Sequence, residues 1–299
     1  MNTSLRLRRA RGFTLVEMVI VIVITAIIGG MVAVFIRLPV QGYIDANARA
    51  ELADLADTAT RRMARDIRRA LPNSGRVTGN GQYLELLLTK SGGRYLSEDD
   101  PPGLGSVLAF DPGTPQANPL QCTIVGAAPA NAGTTVQAIA PGDFIAVYNL
   151  GANLPDAYSC GASPNGCNLA LVTAVNGATV SLQSNPFLQQ AVPQPSPSHR
   201  FQVVTTPVTY VCDPVARTLR RYSGYAIQSA QPADAGAAPL STAGVRALLA
   251  NRVAGCTFST AALANVQRGL VSVQLALGAA GSNTGIVTLV QQVQVNNTP

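Results

Sequence analysis

The sequence predicts an α+β protein in which one long N-terminal helix packs on an antiparallel β-sheet. Residues 13–71 contain a long apolar run followed by an amphipathic helical pattern, and short strand-like runs begin at about residue 76. A helical period that is followed by strand periods is typical of the α+β class. We therefore divide the chain into a leader (1–12), a transmembrane helix (13–38), an amphipathic part of the helix (39–72) and a β-rich globular domain (73–299).

The composition limits the class of protein. The 299 residues are 47% hydrophobic and only 12% charged, with 21 Lys and Arg against 15 Asp and Glu. This balance excludes a chain that is mainly disordered. Most of the net charge of +6 comes from four arginines near the N-terminus, namely Arg6, Arg8, Arg9 and Arg11. The basic character is therefore local, and we do not expect the body to bind nucleic acid.

The run over residues 13–36 predicts a single transmembrane helix. Its only charged residue is Glu17. About 20 apolar residues are enough for a helix to cross a bilayer core, and a cleaved secretory peptide has a shorter apolar region. The arginines before the run place the N-terminus in the cytoplasm by the positive-inside rule. No later run is comparably apolar, which argues against a multi-pass transporter or channel.

Glu17 is the unusual residue of this run, because a charged group inside a membrane is costly and commonly marks function. It follows Arg11-Gly12-Phe13-Thr14-Leu15-Val16 and precedes an unbroken apolar stretch. This segment resembles the prepilin signature of the type IV pilin and pseudopilin superfamily, in which a basic leader ends in Gly and is followed by Phe-Thr-Leu-x-Glu. The resemblance implies a long helix packed on a sheet, as the periodicity also predicts.

The resemblance also implies how the chain is processed and assembled. A prepilin peptidase that is also an N-methyltransferase would cleave after Gly12 and methylate the new terminus at Phe13. Glu17 would pair with the Phe13 amine of a neighbouring subunit. Glycine at the cut gives steric access to the backbone, and a buried carboxylate needs a cationic partner. The expected further partners are other pilin or pseudopilin subunits and the assembly platform of the inner membrane, with the body in the periplasm.

Five further segments are similar to the biogenesis pilins of the mannose-sensitive haemagglutinin pilus. They are residues 35–43, 61–74, 148–151, 210–214 and 297–299. This similarity implies a minor pilin that is inserted in, or initiates, such a filament. The alternatives are a J-type minor pseudopilin of type II secretion and a membrane-tethered periplasmic binding protein or adhesin. A simple tether would need neither a scissile glycine nor Glu17.

The second part of the helix carries an apolar stripe at the spacing of an amphipathic helix. The stripe consists of Leu52, Leu55, Ala56, Ala59, Met63, Ile67, Ala70 and Leu71. Pro39 predicts a kink, and Pro72 predicts the end of the helix. Five arginines, Arg61, Arg62, Arg65, Arg68 and Arg69, are interleaved with acids and predict a solvated face. On that face we expect Asp57 to pair with Arg61, and Asp66 to lie next to Arg62 and Arg69.

Strand-like runs make up most of the β-rich domain. They occur at 83–88, 143–148, 169–175, 178–182 and 201–210, and a hairpin with one buried face is predicted from 271–277 and 287–295. Pro-, Ala-, Gly- and Ser-rich segments at 97–120, 191–200 and 228–243 predict surface loops. The last of them is expected to lead into a short helix at about 245–252.

All five cysteines lie beyond the predicted membrane span, on the oxidising side of the membrane. With one cysteine left free there are 15 possible pairings, so the sequence does not decide among them. We favour Cys160 with Cys167, which could close one loop, and Cys212 with Cys256, which flank strand-like runs. Cys122 would then be free.

The rest of the sequence offers no chemistry for an enzyme or a metal site. No two cysteines have zinc-site spacing, and the only histidine, His199, lies in a Pro- and Ser-rich loop. Glu98, Asp99 and Asp100 lack the ligand spacing of a calcium loop. No nucleophile motif or phosphate-binding glycine loop is present. We therefore expect a structural subunit without a cofactor or metal.

Overall fold

The computed structural model describes residues 12–114, 117–126, 138–151, 156–161, 166–262, 268–278 and 285–296. In these residues one long helix is followed by antiparallel strands, which confirms the predicted α+β class. The chain divides into two compact units, Met1–Glu51 and Leu52–Pro299. The arginines of the leader and residues 297–299 lie outside the described residues.

The helix, α1, begins at Leu15 and ends at Arg68. It is long and apolar enough to cross a membrane, with a mean hydropathy of 3.0 in an 18-residue window of which nothing is buried. The hydroxyl of Thr25 donates to the carbonyl oxygens of Val21 (2.6 Å) and Ile22 (3.1 Å), so this polar group is satisfied within the helix. The chain stays helical across Pro39 and Gly42, and a kink there remains a prediction.

In the second unit, α1 buries the predicted stripe. Leu52, Ala56, Ala59, Met63, Ile67, Ala70 and Leu71 are each at most 5% exposed, and Leu55 is half-buried. The five arginines lie on the exposed side, where Arg61 Nε contacts Asp57 Oδ2 at 2.6 Å as predicted. The prediction for Asp66 was wrong. Asp66 is buried and pairs with Arg221 of a later strand, because it lies on the packed face of the helix.

The helix ends three residues before the predicted end at Leu71. Ala70 forms an isolated antiparallel bridge with Leu88, and the Leu71 N–H donates to the Leu87 carbonyl at 2.7 Å. The chain thus pairs with a strand before it reaches Pro72. The carbonyls of Asp66 and Ile67 in the last turn accept from the N–H groups of Arg69 and Ala70, and the Arg69 carbonyl accepts from the Thr89 N–H of the sheet.

Nine strands form the larger sheet, and every pairing in it is antiparallel. They are β1 (Arg76–Thr78), β2 (Tyr83–Tyr95), β3 (Gln121–Val125), β4 (Phe144–Ala146), β5 (Leu169–Asn176), β6 (Thr179–Leu182), β7 (Arg200–Asp213), β8 (Thr218–Ser223) and β9 (Val245–Ala250). Their order is β1-β2-β3-β6-β5-β4-β7-β8-β9, and β2 also pairs with β7.

The pairing of β2 with β7 closes six of these strands on themselves, in the order β2-β3-β6-β5-β4-β7. The interior of this barrel is one apolar cluster that includes Tyr95, Ile145, Val172, Phe187 and Val203, each at most 1% exposed. Closure removes the free edges of these six strands. The sequence did not predict it.

Three strands form the second sheet, in the order β10 (Val253–Ala262), β11 (Arg268–Leu277) and β12 (Val287–Asn296). The predicted hairpin of β11 and β12 is confirmed, with Val271, Val273, Leu275 and Val293 buried on one face. These side chains share one core with the buried stripe of α1 and with the adjoining parts of β2 and β7. The part of α1 in the second unit is therefore covered by strands of both sheets.

Two details of the β-rich domain differ from the predictions. Residues 245–250 form β9 rather than a helix, because they pair with β8 over Leu219–Ser223. The segment 97–120 has no helix or strand in its described residues, as expected, but Val107, Leu108 and Ala109 are buried instead of lying on the surface. Leu108 belongs to the barrel interior, so this loop closes over part of the core.

Candidate processing and assembly segment

Gly12 and Phe13 precede α1 and belong to no helix or strand. Phe13 is 78% exposed, and no atom lies within 4 Å of the position that a Cβ on Gly12 would take. The Gly12–Phe13 peptide bond is thus outside the helix, and no described residue of the first unit obstructs it. A protease needs an accessible backbone outside regular secondary structure, and this bond offers it.

Thr14 and Glu17 form the start of the helix. The Glu17 N–H donates to the Thr14 hydroxyl at 3.3 Å, and the Met18 N–H donates to the Thr14 carbonyl at 3.2 Å. Thr14 is therefore the N-cap and Glu17 the third helical residue, which is the spacing of a capping box. A carboxylate in the first turn also interacts favourably with the helix dipole. This local role was not predicted, although the pattern Thr-x-x-Glu signals it.

Among the described residues of the first unit, 12–51, no cation lies near Glu17. Between Gly12 and Glu51 the cationic side chains are Arg37 and Arg49. Arg37 is 20 residues further along the helix, which corresponds to about 30 Å. A carboxylate inside a membrane needs a positive partner, which could be supplied by the N-terminal residues, the lipid headgroups or another molecule. The arrangement can therefore carry a charge pairing between molecules.

The structure places both predicted cysteine pairs at disulfide distance. The Cα atoms are 4.3 Å apart for Cys160 and Cys167, and 6.1 Å apart for Cys212 and Cys256. The first pair closes a short loop before β5. The second joins β7 to β10 and therefore links the two sheets. Cys122 is free and buried on β3 in the barrel interior, where desolvation raises the pKa of its thiol to about 12.

The acidic loop and the histidine are engaged with each other and with Arg94. Asp100 accepts hydrogen bonds from the Ser97 backbone (2.9 Å) and from Arg94 Nη2 (2.8 Å). His199 Nε2 lies 3.6 Å from Asp99 Oδ2, and its ring packs edge-on against Tyr95. In the part of the chain that the structure describes, no three His, Cys, Asp or Glu side chains lie close enough to hold a metal ion.

A second buried carboxylate, Glu85, lies between a cation and a hydroxyl donor. It contacts Arg76 Nε at 2.6 Å and accepts a hydrogen bond from the Tyr225 hydroxyl at 2.9 Å. Burial raises the pKa of Glu85, although Arg76 opposes the shift. The Arg76 guanidinium also donates to the carbonyls of Ser229 and Gln228. The side chains of Arg76, Glu85 and Tyr225 thus form hydrogen bonds with one another and with backbone carbonyls, which is typical of a structural network.

The comparisons with known proteins identify only the N-terminal segment. The prokaryotic N-terminal methylation motif matches residues 7–33, which contain Gly12, Phe13, Glu17 and most of the apolar run. No curated protein and no solved structure matches the chain. Together with the apolar N-terminal helix and the antiparallel sheets, the matched motif supports a membrane-anchored protein of the type IV pilin-like kind.

Proposed function

We propose that the protein is a minor pilin or pseudopilin, a structural subunit that is cleaved between Gly12 and Phe13, methylated on Phe13 and assembled into a filament. The observation that carries this proposal is the methylation motif at residues 7–33, with Glu17 as the only charge in the apolar part of α1. A carboxylate with no cation nearby among the described residues of its own unit fits a pairing with the amine of a neighbouring subunit.

The filament that we favour is a type IV pilus of the mannose-sensitive haemagglutinin type. The support is the similarity of the five segments named above, of which residues 61–74 and 210–214 lie in the core region around α1, β7 and β8. A body with two sheets and a closed barrel is large for a repeating subunit. This favours a low-copy position that initiates the filament or lies near its tip. A J-type minor pseudopilin is the alternative within the same class.

The proposed setting follows from the same segment. The leader would remain in the cytoplasm, α1 would cross the inner membrane, and the β-rich domain would lie in the periplasm until assembly. The partners would be the prepilin peptidase, other pilins and the inner-membrane assembly platform. We propose no catalytic activity, no cofactor and no nucleic-acid partner. The engagement of Asp100, Glu85 and His199 with neighbouring side chains supports a structural role.

The test is the intact mass and N-terminal sequence of the protein from membranes with and without a co-expressed prepilin peptidase. We expect loss of residues 1–12 and one added methyl group on Phe13, only when the peptidase is present. Gly12→Asp should block cleavage. Gly30→Ala is the matched control, because no atom lies within 4 Å of its added Cβ and it should be processed normally.

Retention of the leader in the presence of an active peptidase would contradict the proposal. It would favour the tethered binding protein, in which α1 serves only as an anchor. To choose between the two filament types, the chain can be expressed in hosts that lack either minor pilins of the mannose-sensitive haemagglutinin pilus or the J-type pseudopilin. We expect restored piliation in the first host and no restored secretion in the second.

A further inference from the structure

Among the described residues, β1, β9, β10 and β12 lie at the ends of the two sheets, and the first three are protected against pairing with another chain. β1 has only three residues. β9 carries Arg246 and has a register shift against β8. β10 is covered by the larger sheet, because the Phe258 N–H donates to the Gly81 carbonyl at 2.7 Å and Cys256 lies at disulfide distance from Cys212. Short length, charge, irregular register and cover are the usual means of protecting an edge.

The fourth of these strands, β12, has none of these features. It is ten residues long and reads Val-Thr-Leu-Val-Gln-Gln-Val-Gln-Val-Asn, without a charged residue, proline or glycine. Its register with β11 continues without a shift from Val287 to Asn296. In the part of the chain that the structure describes, β12 pairs with β11 alone. Its outer edge, which we call the β12 edge, therefore presents a row of unpaired N–H and C=O groups that can accept one more strand.

The β12 edge also leaves apolar side chains incompletely covered. Val287 and Leu289 pack against the core of the second unit but remain half-buried, and Val290 on the opposite face is 61% exposed. Val293, further along the same strand, is 2% exposed. An added strand would remove the free sides of Val287 and Leu289 from water, which is favourable in proportion to the apolar area buried.

Arg68, in the last turn of α1, lies beside this edge. Together with Gln292, Val293 and Gln294 it lines a cavity of about 410 Å³. The Arg68 side chain is exposed, and within the described ranges no ion pair or hydrogen bond holds its guanidinium. The two glutamines that share the cavity carry amide donors. A carboxylate that entered the cavity would therefore meet one cation and neutral donors.

The positive charge extends beyond Arg68 along the helix. The exposed arginines of this stretch are Arg61, Arg62, Arg65, Arg68 and Arg69. The acid between them, Asp66, points inward and pairs with Arg221, and among the described residues Asp57 is the one acid that pairs with these arginines, through Arg61. Like charges three or four residues apart destabilise a helix. A carboxylate supplied by another chain would relieve this repulsion.

The position of Arg68 relative to the β12 edge determines the chemistry of the partner. In paired strands, residues directly opposite each other point to the same face. Val293 is buried against the core that α1 shares, so the residue of an added strand opposite Val293 would point to the side of the sheet on which α1 lies. Side chains alternate along a strand, so positions two residues away share that side. Acids at these positions would pair with Arg68, whereas a second copy of the uncharged β12 would leave it unpaired.

We propose that the β12 edge binds an extended segment of another protein, with Asp or Glu at alternate positions, as an additional strand of the second sheet. Main-chain hydrogen bonds to β12 would supply the affinity, and carboxylates on Arg68 would supply the specificity. β12 and Arg68 both belong to the second unit. The proposal therefore does not rest on cleavage after Gly12 or on assembly through Glu17, and each can fail without the other.

The first experiment measures the binding of two labelled peptides to the full chain in detergent. Both peptides have the ten-residue length of β12. In one, Thr alternates with Glu, and in the other Thr alternates with Gln. Fluorescence anisotropy should give an affinity for the Glu peptide at least about tenfold above that for the Gln peptide. Equal affinities, or no binding of the Glu peptide at millimolar concentration, would overturn the proposal.

The second experiment assigns the preference for acids to Arg68. Arg68→Gln should reduce the affinity for the Glu peptide to that for the Gln peptide and leave the Gln peptide unaffected. Arg68→Lys should retain part of the preference, because the positive charge remains. Arg220→Gln is the matched control, since Arg220 is an exposed arginine on β8 that does not line the cavity. An equal loss in Arg220→Gln and Arg68→Gln would contradict the assignment.

The third experiment tests pairing through the backbone. Two versions of the Glu peptide carry N-methyl groups on alternate amides, so that each version blocks one edge of the bound strand. One version should lose at least about tenfold in affinity, and the other should bind like the unmodified peptide. Bound peptide should also slow amide hydrogen exchange in β12 and leave β9 unchanged. Equal affinities of the two versions, or protection of β9 without β12, would overturn strand addition.

Two further measurements separate the other possible occupants of the β12 edge. Sedimentation of the full chain detects a second copy, and a dimer that persists at saturating Glu peptide would overturn the acidic strand in favour of self-pairing. A single-stranded oligonucleotide tests general attraction of anions. We expect that it does not displace the Glu peptide at about 0.15 M salt, where exposed charges are screened beyond about 8 Å. Displacement at this salt concentration would overturn the peptide and indicate a polyanion site.

Discussion

The phenolic hydroxyl of Tyr210 donates a hydrogen bond of 2.6 Å to Oδ2 of Asp66, deep in the core between α1 and β7. Arg221 of β8 donates to the same oxygen at 2.8 Å. The carboxylate of the helix is therefore held by two strands. Burial and the neighbouring carboxylate raise the pKa of Tyr210, so its hydroxyl remains a donor throughout the physiological range.

We predict that Asp66→Ala destabilises the second unit. The substitution leaves the half-buried Arg221 guanidinium without its anion and Tyr210 without its acceptor. Removing one partner of a buried ion pair costs about 3–5 kcal/mol, and we expect about 3 kcal/mol here because Arg221 retains some solvent contact. Denaturant unfolding of the full chain in detergent measures the loss.

Asp54→Ala is the control for this prediction, since Asp54 lies on the exposed side of the same helix. Its effect should stay within about 0.5 kcal/mol. Asp66→Asn should lie between the two variants, because the amide oxygen still accepts one bond. Equal stabilities of Asp66→Ala and Asp54→Ala would mean that the Asp66 network contributes nothing net.

Three substitutions at Glu17 separate its two roles. Glutamine also serves at the third position of a capping box, so Glu17→Gln keeps the helix start and removes the charge. Glu17→Val removes both, and Glu17→Asp keeps the charge. If charge pairing drives assembly, the Gln and Val variants should both be absent from sheared filaments while their membrane insertion and cleavage remain normal.

The Asp variant should retain partial assembly, and Glu51→Gln should assemble like the native chain because Glu51 lies beyond the apolar run. Quantitative immunoblots of sheared filaments and membranes provide the measurement. Normal assembly of Glu17→Gln together with failure of Glu17→Val would show that only the helix cap matters.

The two disulfides should contribute unequally to stability. Cys212 and Cys256 close a loop of 44 residues, and Cys160 and Cys167 close a loop of 7. The chain-entropy relation gives about 4 kcal/mol for the first and about 2 kcal/mol for the second. Double serine variants of each pair, compared by denaturant unfolding, should follow this order. The reverse order would indicate that strain or residual unfolded structure outweighs loop entropy.

Cys122 should be unreactive in the folded protein. Its thiol is 2% exposed, and burial raises its pKa to about 12, so almost no thiolate is present at pH 8. Iodoacetamide should label it at least about tenfold more slowly in native protein than in urea without reductant, as mass spectrometry can follow. Cys122→Ala is the control for labelling at other residues. Rapid labelling of the native chain would show that the barrel opens readily.

Asp100 should make the stability of the folded protein depend on pH in the acidic range. Hydrogen bonds from Ser97 and Arg94 lower its pKa to about 2, below the ordinary value of 3.8. Between these values the unfolded chain binds more protons than the folded one, so stability falls as the pH falls. The advantage of the native chain over Asp100→Asn should therefore be present at pH 5 and disappear towards pH 2, as thermal unfolding measures. A difference that stays constant with pH would contradict this assignment.

The parts of the fold that were predictable are those fixed by local patterns. The stripe from Leu52 to Leu71 has a helical period, and β11 alternates cleanly between Val271 and Leu277. Each pattern can be recognised without knowing its partner. The apolar run and Glu17 are likewise local features, so the candidate processing segment could be predicted from the sequence alone.

The parts of the fold that were not predicted depend on contacts between residues far apart in sequence. Residues 245–250 contain the helix formers Ala and Leu, yet pairing with β8 makes them a strand. Asp66 looked like a surface acid because its partner, Arg221, comes 155 residues later. The closed barrel needs β2 and β7 to meet, and no periodicity in either strand signals that.

The order in which the core is completed has a consequence for biosynthesis. Leu52 of α1 and Val293 of β12 share one hydrophobic core, although they lie near opposite ends of the second unit. The apolar stripe of the helix therefore stays exposed until almost the whole polypeptide has been synthesised. Contacts between residues so far apart in sequence form slowly, and the folding intermediates meanwhile expose apolar surface that is prone to aggregation. A nascent chain of this design needs shielding until its synthesis is complete, and a stop codon before β12 would leave the helix permanently without part of its cover.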